Sequence, residues 1–137
     1  MKLSRQEEIA ILLISSIASA SHRISLTDIS QEHGVSILFL KKIARSLHKA
    51  RIIDSKEGVG GGYILAKEPS SISVLDILQA VGPGDKELIS SEILRICPLS
   101  PNCMPQKIRH FISNAFSRYC SNITVDQFIW NENQEYI

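Results

Sequence analysis

The sequence predicts a mainly α-helical fold interrupted by one small β-hairpin, and three observations carry that prediction. Apolar residues recur at helical spacing through much of the 137 residues. Serines in capping positions and a glycine stop divide the first fifty residues into short helices. The glycine-rich stretch "SKEGVGGG" then separates two β-prone runs, "RIID" and "YILA".

Composition bounds the architecture. A chain of 137 residues with 44% hydrophobic content is one ordinary domain, or one small domain with an appendage. The net charge of +1 rules out a global polycation, yet charge is uneven along the chain. Residues 1–68 hold 10 Lys and Arg against 7 Asp and Glu, whereas residues 69–137 hold 5 against 7. We therefore divide the chain there, with a basic unit at 1–68 and a second unit at 69–137.

The first helix is expected from Arg5 to Ala20, with Ile9, Leu12, Leu13, Ile14 and Ile17 on its apolar face. "IAILLISSIASA" imitates the core of a signal peptide, but Glu7 and Glu8 stand where a positively charged leader would be. Ser4 and Glu7 form an S-x-x-E capping box instead. With no apolar run of transmembrane length, a cytoplasmic protein without a membrane partner is expected. Three cysteines, an odd number, argue for reduced thiols and against a disulfide framework.

A second helix starts at the Ser25 cap and closes at Gly34, and Ser36 caps a third, "ILFLKKIARSLHKARI". Two short helices around Gly34-Val35 make a helix-turn-helix pattern, for which an ordinary helical hairpin is the plain alternative. Charge favours the former. From Lys41 to Arg51 the segment carries Lys41, Lys42, Arg45, His48, Lys49 and Arg51 and no acid, while Ile37, Leu40, Ile43, Ala44 and Leu47 form the opposite apolar stripe. A solvated face normally mixes signs, whereas a uniformly basic one suits phosphates.

The hairpin after this basic helix completes a winged helix-turn-helix. Its glycines are not a phosphate loop, because no G-x-x-x-x-G-K-[ST] occurs and Tyr63 stands where G-x-G-x-x-G needs glycine. Gly60, Gly61 and Gly62 are read as a wing tip able to approach DNA. The expected contacts to a double-stranded operator are Ser36, Leu38, Phe39, Lys41, Lys42 and Arg45 from the third helix, and Lys56, Gly60 and Gly61 from the wing.

Beyond Pro69, "SISVLDILQAVG" reads as a helix capped at Ser73 and ended at Gly82. A long helix from Pro105 to Asn122 carries Ile108, Phe111, Ile112, Ala115, Phe116 and Tyr119, and Thr124 with Gln127 caps a short terminal helix. The long striped helix suits pairing with its own copy in a dimer, with packing inside one chain as the alternative.

"MKLS", "ISLTDIS…HGVS…FLKKI", "GVGGGYILAK" and "ISVLDILQAV" together resemble the IscR/NsrR-type family of winged-helix iron–sulfur regulators, over nearly the whole chain. The resemblance implies a homodimeric bacterial transcription factor with a long dimerisation helix. It also implies a cluster, 2Fe–2S in our expectation, between the wing domain and that helix. The family pattern places three cysteines before the long helix, followed by a histidine. Cys103 and Cys97 fall on the last two, Ser91 is nearest to the first, and Gln106 stands at the histidine position. Glu57 stands close to a family arginine that reads DNA, so operator sequence does not carry over.

Cys97 and Cys103 lie in the proline-rich "CPLSPNC", an environment that favours metal or redox use over inert packing. Cys120 follows Ile112 and Phe116 at i, i+4, i+8 and reads as packing. A 2Fe–2S cluster needs four donors. Family members draw one from the partner's DNA-binding domain, and the expected set is Cys97 and Cys103 from one chain with Glu8 and His33 from the other, with Cys120 and His110 as the alternative pair. The competing reading is a cluster-free regulator in which Cys97 and Cys103 form a thiol–disulfide switch. Nothing in the sequence supports an enzyme, since there is no C-x-x-C, nucleotide loop or evident acid/base pair.

Overall fold

The computed structural model of the chain describes residues 3–82 and 104–129. It contains α1 (Arg5–Ser19), α2 (Leu26–His33), α3 (Ile37–Lys49), β1 (Ile53–Lys56), β2 (Gly62–Leu65), α4 (Val74–Val81) and α5 (Met104–Asn122). Two 3₁₀ turns, Pro69–Ser71 and Val125–Gln127, flank the last two helices. The fold is mainly helical with one two-stranded antiparallel sheet, in agreement with the predicted class.

The helix starts follow their caps. Ser4 N–H donates to Glu7 Oε2 at 2.6 Å and Glu7 N–H donates to Ser4 Oγ at 3.3 Å, closing the predicted box. Ser25 accepts from Asp28 N–H, and Ser73 pairs reciprocally with Asp76 at the start of α4. Gly34 ends α2 in the left-handed conformation at φ 65°, and the Ser30 hydroxyl braces the following turn by donating to the Val35 carbonyl at 2.6 Å.

Boundaries differ from the sequence reading at α3, in the hairpin and after α5. Helix α3 stops at Lys49 rather than continuing to Ile52, because Arg51 turns the chain at φ 59°. The strands then run to Lys56 and from Gly62, which pair with each other, leaving a loop of only Glu57–Gly61. The expected terminal helix is a single 3₁₀ turn. Val125 N–H donates to the Ile72 carbonyl at 2.9 Å, and the Thr124 hydroxyl engages Asp126 instead of capping.

Packing joins these elements into one core. Ile9, Leu13 and Ile14 of α1 meet Leu40, Ile43 and Leu47 of α3, and Ile77 and Val81 of α4 enter the same cluster. Among the described residues no polar or charged side chain is buried, so the core is held by apolar burial alone. The segment after α5 is tied to the start of α4: Val74 N–H donates to the Ile123 carbonyl at 2.8 Å, and Val125 is fully buried. Ile24, between α1 and α2, bridges to Tyr63 and anchors the wing to the helical body.

Candidate nucleic-acid interface and sensor residues

Helix α3 is amphipathic by sequence, and the fold uses that division. Leu40, Ile43, Ala44 and Leu47 are buried against α1 and α4. The other side leaves Leu38, Lys41, Lys42, Arg45, His48 and Lys49 exposed to solvent. Among the described residues neither Lys41 nor Arg45 makes an ion pair, so these cations are uncommitted within the chain. A row of cations with no acid on the same helix presents a field suited to a phosphate backbone.

The predicted DNA residues divide by environment. Ser36 occupies the N-cap position of α3, but its hydroxyl makes no capping bond, contrary to the sequence reading, and it is exposed. Phe39 is half-buried and packs against the core, while Leu38 beside it is 79% exposed. Lys56 ends β1 and is exposed, as is the adjacent Glu57.

The wing glycines serve two purposes. A Cβ on Gly61 would collide with the Lys56 carbonyl, and one on Gly62 would stand 2.7 Å from the Ile24 carbonyl oxygen. Those two glycines are demanded by backbone packing inside the protein, whereas Gly60 has open space around it at the tip. Val59 at the same tip is fully exposed. The sequence pattern does not single it out; an apolar residue isolated among glycines is the signal that marks it.

Of the four expected cluster donors, Glu8 and His33 lie among the described residues. Cys97 and Cys103 lie outside the described residues. Among those described, no group of three His, Cys, Asp or Glu side chains could hold a metal ion. His33 Nε2 lies 3.5 Å from Ser16 Oγ and 3.8 Å from Glu32. Glu8, exposed in the first turn of α1, is 3.9 Å from Arg5. Ser16 is eight residues further along α1 than Glu8, a rise of about 12 Å. The carboxylate and the imidazole are suitable donor types for iron, and both reach solvent.

Cys120 is buried on α5, and burial pushes its thiol up. That fits the packing role expected of it and makes it a poor thiolate donor. On the same helix Phe111 is 70% and Tyr119 68% exposed, with Ile108 and Ile112 about half exposed. Among the described residues nothing covers this striped face. No helix among the described residues is long and apolar enough to cross a membrane.

Comparisons with known proteins agree with this geometry. The Rrf2 family, described as iron-dependent transcriptional regulator, matches residues 3–131. Escherichia coli IscR, an HTH-type transcriptional regulator, is 26% identical over 136 residues, covering 96% of this chain and 82% of that protein. Staphylococcus aureus CymR in its oxidised form superposes with a TM-score of 0.74 at 26% identity, covering 100% of this chain and 98% of that one. Bacillus subtilis CymR, a global cysteine regulator, shares the fold with a TM-score of 0.75 at 20% identity, over 94% of this chain and 96% of that one. The basic helix, the wing and the length of the match lead to one conclusion: the chain belongs to the Rrf2 family of winged-helix transcription regulators.

Proposed function

We propose that this regulator acts in the cytoplasm as a homodimer that grips an operator with α3 and the wing, and that an iron–sulfur cluster, most simply 2Fe–2S, sets its affinity for DNA. The observation that carries the DNA part is the acid-free exposed face of α3 with Lys41, Lys42 and Arg45. Ser36, Leu38, Lys56, Gly60 and Gly61 lie on the same helix start and wing, and Phe39 supports them from the core side. In functional terms residues 1–68 bind DNA and residues 69–137 sense and dimerise. The uncovered apolar stripe of α5 supports pairing of two such helices.

The cluster reading draws support from the iron-dependent description of the family and from the similarity to IscR. Cys97 and Cys103 supply thiolates from one chain, and Glu8 and His33 are the donors proposed from the partner. His33→Ala and Glu8→Ala, made singly, test each donor through the cluster's absorption spectrum. When bound, the cluster would supply a redox-responsive bond between the subunits. This chain's own part is to present Glu8 on α1 and His33 at the turn before α3, so that ligand exchange at the cluster would be felt next to the DNA-reading helix.

A second reading has its own support. The similarity to CymR in an oxidised form favours a cluster-free regulator with a Cys97–Cys103 thiol–disulfide switch. One experiment separates the two. The full chain is purified without oxygen, its iron and acid-labile sulfide are measured, and its binding to a duplex selected from a random pool is followed before and after chelation. Coloured protein with iron and sulfide, whose DNA affinity changes on chelation, supports the cluster. Colourless protein that switches with a dithiol oxidant and recovers with dithiothreitol supports the thiol switch and overturns the cluster.

A further inference from the structure

We infer that Leu38 reads the 5-methyl group of a thymine in the major groove, making it a specificity residue; the inference rests on the DNA-binding role of α3 proposed above. Leu38 is the second residue of α3 and is 79% exposed, although the helix has a complete buried stripe in Leu40, Ile43, Ala44 and Leu47. Scattered exposed leucines need no explanation by themselves. This one shares a face with Lys41, Lys42 and Arg45 at i+3, i+4 and i+7, on a helix without an acid. Charge complementarity names the occupant of that face as a polyanionic duplex rather than an apolar protein surface.

Position then assigns the division of labour. The first residues of a helix laid in the major groove meet base edges, while the residues behind them reach phosphates. Lysine and arginine contacts to phosphate hold register and carry no sequence information. Leucine has neither donor nor acceptor, so it cannot read the hydrogen-bonding edges of any base. The apolar feature that the four bases display in the major groove is the thymine methyl. A leucine projecting there gains from burying that methyl and gains nothing from cytosine, guanine or adenine at the same place.

The test uses methyl-deleted DNA. A duplex is selected from a random-sequence pool with the full-length protein, and each thymine in its footprint is replaced singly by deoxyuridine, which removes the methyl and changes little else. For the parent chain, one thymine in each half-site should show about fourfold weaker binding on replacement, the scale expected for one buried methyl. Leu38→Ala should abolish that difference while keeping the salt dependence of binding, which phosphate contacts set. Circular dichroism confirms the fold, which this exposed residue does not support. Methyl-independent binding by the parent overturns the inference, as does a Leu38→Ala chain that keeps the methyl effect. If Lys41→Ala and Lys42→Ala also leave affinity unchanged, the role of α3 falls with it; if they weaken binding, only the assignment of Leu38 is lost.

Discussion

Ile24 and Tyr63 exchange both of their backbone hydrogen bonds: Tyr63 N–H donates to the Ile24 carbonyl at 2.8 Å, and Ile24 N–H donates to the Tyr63 carbonyl at 3.2 Å. This reciprocal pair fastens the base of the wing to the loop between α1 and α2. The wing is therefore set relative to α3 by contacts that neither the hairpin nor the recognition helix makes alone.

The pair explains why glycine precedes Tyr63, and it yields a stability prediction. Gly62 has φ 132°, and a Cβ there would stand 2.7 Å from the Ile24 oxygen and 2.9 Å from its carbonyl carbon. Gly60 also has positive φ, at 72°, but nothing lies within 4 Å of its would-be Cβ. Gly60→Ala should cost about 1 kcal/mol, the ordinary left-handed penalty, while Gly62→Ala should cost at least about 2 kcal/mol more through the clash. Urea unfolding of the two variants decides; equal midpoints would show that the wing base is looser than the Ile24–Tyr63 pair implies.

The basic face of α3 gives a prediction about salt. Lys41 and Lys42 are exposed and outside the core, so replacing both with alanine should leave the fold intact. It should weaken operator binding and reduce the slope of log affinity against log salt by up to about 2, one unit for each phosphate no longer neutralised. Fluorescence anisotropy at several salt concentrations measures this, and an unchanged slope would mean that α3 does not touch the phosphates.

Local chemistry made much of this readable from sequence. Ser4, Ser25 and Ser73 announced helix starts because side-chain caps act within three residues, and Gly34 announced a stop. The acid-free run from Lys41 to Arg51 was equally visible. What sequence could not show depended on distant partners. The demand for glycine at position 62 comes from Ile24, nearly forty residues earlier, and so looked like a property of the wing tip. The 3₁₀ turn at Val125 replaces a helix because its N–H is taken by Ile72 across the fold.

Cys120 provides a test that distinguishes packing from ligation. Burial pushes its thiol up, so at neutral pH the reactive thiolate is depleted in the native state. The native state binds that proton more tightly than the unfolded chain does. Its contribution to stability is therefore present below the ordinary thiol range and is lost as pH rises through the raised folded value. Alkylation of Cys120 at neutral pH, followed by peptide mass spectrometry, should be slower in native than in unfolded protein, because burial both shields the thiol and disfavours its thiolate. Cys120→Ala should cost about 1 kcal/mol and leave iron content unchanged. Loss of iron with the fold intact would make Cys120 a ligand.

Arg51 carries a conflict between backbone and charge. Its N–H donates to the His48 carbonyl at 2.9 Å, and Ile52 N–H donates to the Leu47 carbonyl at 3.0 Å, the double bond pattern that closes a helix around a left-handed residue. Glycine usually fills that place, yet here a non-glycine residue sits at φ 59°. The left-handed conformation costs about 1–2 kcal/mol in an L-residue, partly offset because glycine loses more freedom on folding. Arg51→Gly should therefore stabilise the protein by about 0.5–1 kcal/mol, whereas Arg51→Ala, which keeps the Cβ and removes the charge, should leave stability nearly unchanged. Because Arg51 is exposed at the end of the basic segment, both variants should weaken DNA binding alike, with about one unit less salt slope. Unfolding and binding measured on the same two variants separate the effects. Equal stability of the glycine and alanine variants would remove the strain, and unaltered binding by both would leave Arg51 without a reason to be arginine.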